Sequence, residues 1–171
     1  AGRHEDLLNL LELSPYKFWH DRHWGVRALV AQGKTAAAIR YAEDTRGLNQ
    51  PNGRISMACE EILLSEGLWR EAYDRYALEA NRQSTYLATF QAMTSKYPRI
   101  EPKAILADLV ERTPGEEGKW FVAAKSAGLL TEAAELARAR PCDPKTLTRA
   151  ARLRSEQAGI CPLGRPGSTA M

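Results

Sequence analysis

Three glycines occur in this chain in one repeated setting: "AQGKTAAAIRYA" from Ala31, "SEGLWREAYDRYA" from Ser65 and "SAGLLTEAAELA" from Ser126. In each, an alanine follows the glycine five residues later, giving the pairs Gly33/Ala38, Gly67/Ala72 and Gly128/Ala133. An interior helical glycine costs about 1 kcal/mol against alanine, so "LLSEGLWREAYDRYALEA" (63–80) does not read as one continuous helix. Glycine does enter the left-handed conformation cheaply, and there it closes a helix. Each of the three ends one apolar stripe and precedes another. The alanine that follows lets the second helix approach the first closely. The pattern predicts three corners between antiparallel helices.

Helical spacing runs through the rest of the chain. Ile55, Ala58, Cys59, Ile62 and Leu63 fall on one face, as do Trp69, Ala72, Tyr73, Tyr76 and Ala80. Trp120, Ala123, Ala124 and Ala127 repeat the rule, followed by Leu130, Ala133, Ala134 and Ala137. No run alternates with period two, so no strand is expected. Ser14-Pro15, Thr113-Pro114 and Asp143-Pro144 read as helix starts, with Thr113 and Glu116 forming a capping box. "GLNQPNGR" (47–54) reads as a loop and "YPRIEP" (97–102) as a second break. The prediction is all-α, with helices over 5–13, 15–32, 34–46, 54–66, 68–80, 83–97, 101–112, 114–127, 129–140 and 144–157. One helical domain over 1–157 and a flexible tail over 158–171 follow from the same reading.

Charge narrows the partners. The net charge is +3, but seven basic residues face two acidic ones between Arg138 and Arg165, so the remainder is slightly acidic. Arg149, Arg152 and Arg154 on that last helix are the candidates for phosphate contact. Cys59, Cys142 and Cys161 form no CxxC pair and no zinc-finger spacing. No apolar run nears the ~18 residues of a membrane span, and the charged N-terminus does not resemble a secretory signal. The expectation is a cytoplasmic chain with no membrane partner.

Gly33 and Gly67 are 34 residues apart, and Tyr76 follows Ala72 at the place of a second aromatic contact. In these residues the chain resembles tetratricopeptide repeats, whose period is the same. The likeness covers about 15–140 and departs in three ways: Gly25 sits one residue from the expected first-helix glycine, no proline closes the units at the repeat's spacing, and Gly67 to Gly128 spans 61 residues. An α-solenoid of no named repeat class fits the pattern equally. The resemblance implies helix hairpins stacked as a short right-handed α-solenoid whose concave face binds a peptide or protein. It places His20, His23, Arg27 and Val30, then Arg54, Met57, Glu61 and Leu64, then Gly115, Gly118, Val122 and Lys125, on that face.

Helical spacing alone puts Tyr16, His20, His23 and Arg27 together, within the aromatic-rich "YKFWHDRHW" (16–24). Tyr, Trp and Arg supply area and directional bonds together, which suits a binding surface. The plainer alternative makes Trp19 and Trp24 core residues with histidines at their edges. His20 and His23 lack a third ligand in reach, so no metal is expected, and no cofactor motif is present. GxSxG, P-loop and dinucleotide-loop patterns are missing, which argues for a non-enzymatic chain. Two functions remain on this reading: a protein-interaction scaffold, or nucleic-acid binding through the basic C-terminal helix.

Overall fold

The computed structural model describes residues 3–139 and residue 148. Among them lie nine α-helices, one 3-10 turn and no strand, so the chain is all-α there. The helices are α1 (His4–Glu12), α2 (Trp19–Ala31), α3 (Thr35–Glu43), α4 (Asn52–Ser65) and α5 (Trp69–Ala80). Then come α6 (Tyr86–Lys96), α7 (Pro102–Glu111), the 3-10 turn Glu117–Trp120, α8 (Phe121–Ser126) and α9 (Leu130–Ala139). The chain divides into two compact units, 1–109 and 110–171, with the boundary near the end of α7. The expected helix 144–157, the Asp143-Pro144 start, the tail 158–171, Cys142 and Cys161 lie outside the described residues.

The glycine corners form as the sequence predicts. Gly33, Gly67 and Gly128 have φ of 71°, 76° and 75°. In each, the glycine N–H donates three residues back and the next N–H donates five residues back: Lys34 to Leu29, Leu68 to Leu63, Leu129 to Ala124. This pair of hydrogen bonds satisfies carbonyls that the helix end leaves open. The carbonyl after each glycine then accepts from the alanine N–H that starts the next helix, at Ala38, Ala72 and Ala133. Those alanines are buried. α2 accordingly packs on α3, α4 on α5, and in the second unit α8 on α9.

The first unit is centred on Trp19, Val26, Leu29, Ile39, Ile55, Cys59, Ile62, Leu63 and Tyr76. Gly25 belongs to this packing, because a Cβ there would lie 2.6 Å from the Tyr41 ring. α4 is buried on more than one side, and the side chains it hides include Ser56 and Glu60. Glu60 is wholly buried and accepts from Asn81 Nδ2 (2.6 Å), Lys96 Nζ (2.6 Å) and the Tyr97 hydroxyl. Burial, then the carboxylate it donates to, pushes the Tyr97 hydroxyl up. Glu43 ties Tyr76 and Arg75 together, and Glu79 does the same for Ser56 and Arg46. In the second unit Trp120, Phe121, Ala123, Ala124, Ala133 and Leu136 are buried, whereas Leu130, expected on the apolar stripe, is exposed.

Four predicted helix starts move by two residues or more. α2 begins at Trp19 rather than residue 15, since Ser14 Oγ bonds the Tyr16 carbonyl and caps no N–H of α2. α4 begins at Asn52, two residues early, because Asn52 clamps both backbone groups of Gly47 and pulls the loop closed. α6 begins at Tyr86 rather than residue 83, where the Thr85 hydroxyl accepts from the Ala88 N–H (3.1 Å). Thr113-Pro114-Gly115-Glu116 forms a turn, with the Glu116 N–H donating to the Thr113 carbonyl (3.1 Å), and the next helical turn begins at Glu117 rather than residue 114. Gly115 there has φ 88°, which proline followed by glycine favours, and the Thr113 hydroxyl accepts from the Trp120 indole.

Two stability predictions follow from these contacts. Gly67→Ala meets no atom within 4 Å, so its cost is conformational alone, about 1 kcal/mol by thermal melting. Gly25→Ala costs more, and a double-mutant cycle with Tyr41→Leu shows that excess relieved, whereas Gly67→Ala is unchanged by the second substitution. Glu60→Ala strands Asn81, Lys96 and Tyr97 and lowers urea stability by about 3 kcal/mol. Glu60→Gln loses less, because an amide oxygen still accepts.

Candidate functional site

In the first unit α3 packs against both α2 and α4, and a groove of about 1030 Å³ opens between those two outer helices. α2 lines it with His20, His23, Val26, Arg27 and Val30. α4 lines it with Arg54, Ala58, Glu61, Ile62 and Ser65. Phe18, Trp19, Ala31 and the loop residues Asn49, Gln50 and Pro51 complete the lining. Val26 and Ile62 also belong to the core, so the apolar part of the groove is continuous with it.

The first turn of α2 is held by residues far along the chain. The Gln50 side chain accepts from the Trp19 N–H (3.3 Å) and donates to the Lys17 carbonyl (3.2 Å). Lys17 in turn pairs with Asp44, which holds that carboxyl below its usual range. Arg22 is buried, reaches Glu12 (3.1 Å) and Asp44 (3.5 Å), and lies 3.6 Å over the Tyr41 ring. Thus the arginine inside the aromatic stretch turns inward and anchors the helix.

A run of aromatic side chains leads from the segment before α2 into its first turns. Tyr16 stacks on Phe18, and Phe18 on His20, each at 5.7 Å between ring centres. His23 lies 4.4 Å from the Trp24 ring and 6.3 Å from Trp19. The Arg27 guanidinium sits 5.4 Å over Trp24, itself 51% exposed. His20 approaches Asp21 at 3.2 Å. Arg27 and Arg54 have no carboxylate at ion-pair distance among the described residues.

The structure therefore gathers His20, His23, Arg27 and Val30 with Arg54 and Glu61 around one groove. Tyr16 is corrected: it lies before α2, in the bend after α1, and shares no helical face with the histidines. Phe18 is 45% exposed at the mouth of the groove. Met57 and Leu64 are not lining residues; Met57 is exposed and Leu64 packs on the core. The lining side of α4 is rotated from the expected one, running through Ala58, Ile62 and Ser65. Gly115 and Gly118 fall in the turn and the 3-10 segment, and Val122 and Lys125 lie on α8 of the second unit. Arg149, Arg152 and Arg154 lie outside the described residues.

Sequence reasoning missed Gln50, Asn49 and Pro51, having read "GLNQPNGR" only as a connector. No local signal marks Gln50, because the Trp19 N–H and Lys17 carbonyl that it ties lie 31 and 33 positions away in the chain. Among the described residues no three His, Cys, Asp or Glu side chains gather as a metal site requires, and no helix is long and apolar enough to cross a membrane. No family model, curated protein or solved structure matches the chain.

Gln50→Ala removes both ties to the start of α2. The Trp19 amide then exchanges with deuterium about tenfold faster, while amides in the middle of α4 keep their protection.

Proposed function

We propose that this chain is a non-enzymatic protein-interaction module, similar to tetratricopeptide repeats, that takes a peptide or partner protein in the α2–α4 groove. One observation carries the reading. Four side chains that can grip a partner's polar groups, His20, His23, Arg27 and Arg54, surround an apolar strip of Val26, Ala58 and Ile62. Such a pairing of apolar area with directional polar groups is what partner-binding surfaces use. The like turns at Gly33, Gly67 and Gly128 support a repeat architecture. So do the ties Glu43–Tyr76 and Arg46–Glu79, each joining residues 33 positions apart. On this reading the hairpins stack as a short right-handed α-solenoid, and the groove is part of its concave side.

The test is recovery of partners from source lysate with native protein and with His23→Ala/Arg27→Ala. The double variant keeps the native melting temperature, since Arg27 is exposed and His23 is only half-buried, and it loses the partner that native protein retains. Equal recovery by both proteins would remove the groove from the function.

A further inference from the structure

We propose that the occupant of the α2–α4 groove is a short acidic peptide segment bearing a large apolar side chain, its carboxylates paired with Arg27 and Arg54. This rests on the reading of the groove as a binding site and adds the chemistry of what binds there.

The charges carry it. Several arginines of the first unit are engaged by acids: Arg3 by Asp6, Arg22 by Glu12 and Asp44, Arg46 by Glu79, Arg70 by Asp74, Arg75 by Glu71 and Glu43. Arg40, Arg82 and Arg99 have no acid at ion-pair distance among the described residues, and none of them lines the groove. Arg27 and Arg54 stand on opposite walls of the groove with no such partner among the described residues, and both are exposed. Glu61 is the one carboxylate of the lining, against two guanidinium groups and two imidazoles. Asp21, close by, is already engaged by His20. A guanidinium presents parallel N–H donors that match a carboxylate, so a carboxylate side chain is the complementary ligand.

The apolar strip of Val26, Ala58 and Ile62 can receive one large side chain, with Phe18 and His23 in the same lining. α2 rises about 15 Å from His20 to Val30, room for about five residues of extended chain. A single-stranded nucleic acid fits less well. It carries a charge at every nucleotide, whereas the lining includes Glu61 and the chain outside 138–165 is slightly acidic.

The experiment selects a phage-displayed library of random twelve-residue peptides on the full chain. The winners are then measured as end-blocked synthetic peptides by fluorescence anisotropy. Expected winners are net acidic with at least one aromatic or large aliphatic residue. Their affinity falls about tenfold or more in Arg27→Glu/Arg54→Glu, and similarly when their Asp and Glu are replaced by Asn and Gln. It also weakens as salt rises. Val30→Trp, which fills one end of the groove, serves as the control for position, and thermal melts confirm that both variants fold. Neutral or basic winners that Val30→Trp displaces would overturn the acidic identity and leave the groove as a binding site. Winners indifferent to Val30→Trp, or no winners at all, would overturn the groove reading itself. A labelled oligouridylate that binds more tightly and displaces the peptides would likewise overturn the proposal.

Discussion

The left-handed glycine is the constraint on which this architecture rests. Two amphipathic helices can bury their stripes against each other only if the chain reverses within a few residues. The reversal must also leave the carbonyls of the first helix satisfied. At Gly33, Gly67 and Gly128 one glycine meets both demands, with the following N–H reaching back five residues in all three. Alanine five positions on then removes bulk where the helices are closest. Because α3 is turned tightly onto α2 and also packs against α4, the two outer helices are left apart and the groove between them is a consequence of the corner.

Apolar burial brings hairpins together but does not by itself choose their register. In the first unit that choice falls to three acids, wholly buried Glu60, half-buried Glu43 and exposed Glu79. Glu43 reaches Tyr76, Glu79 reaches Ser56 and Arg46, and Glu60 reaches Asn81, Lys96 and Tyr97. Desolvating a carboxylate is costly, and only a full set of donors offsets it. A shift of one residue along either helix would separate donors from acceptors. Each network therefore penalises neighbouring arrangements more than it adds to stability. The Tyr76 hydroxyl, pushed up by burial and then by its bond to Glu43, stays a neutral donor in that arrangement.

The aromatic stretch at the start of α2 divides its labour by face. Arg22 and Trp19 turn inward, the first clamped by Glu12, Asp44 and the Tyr41 ring, the second into the core. His20, His23 and Arg27 turn to the groove, and Trp24 stays half-exposed beside them. An inward arginine with two acids fixes the rotation of the helix about its axis. That rotation decides which cations remain free for a partner. Gln50 sets the helix's starting point in the same way, by occupying backbone groups before the first turn closes.

Local chemistry determined a large part of this protein. The glycine–alanine spacing, the apolar stripes and the break at 97–102 are decided within a few residues, so the helices and their three corners were legible in the sequence. The α2 side of the groove was legible too, since His20, His23, Arg27 and Val30 follow helical spacing. Helix starts at Trp19 and Asn52 were not, because long-range hydrogen bonds and a clamped loop outweighed proline punctuation. The burial of Glu60, Ser56 and Arg22 was also hidden: a polar residue looks solvated until partners ten to thirty-seven positions away are brought to it. Only the tertiary structure decided which side of α4 faces the groove. That rotation depends on packing against α3 and α5 together, and no single stretch of chain contains both.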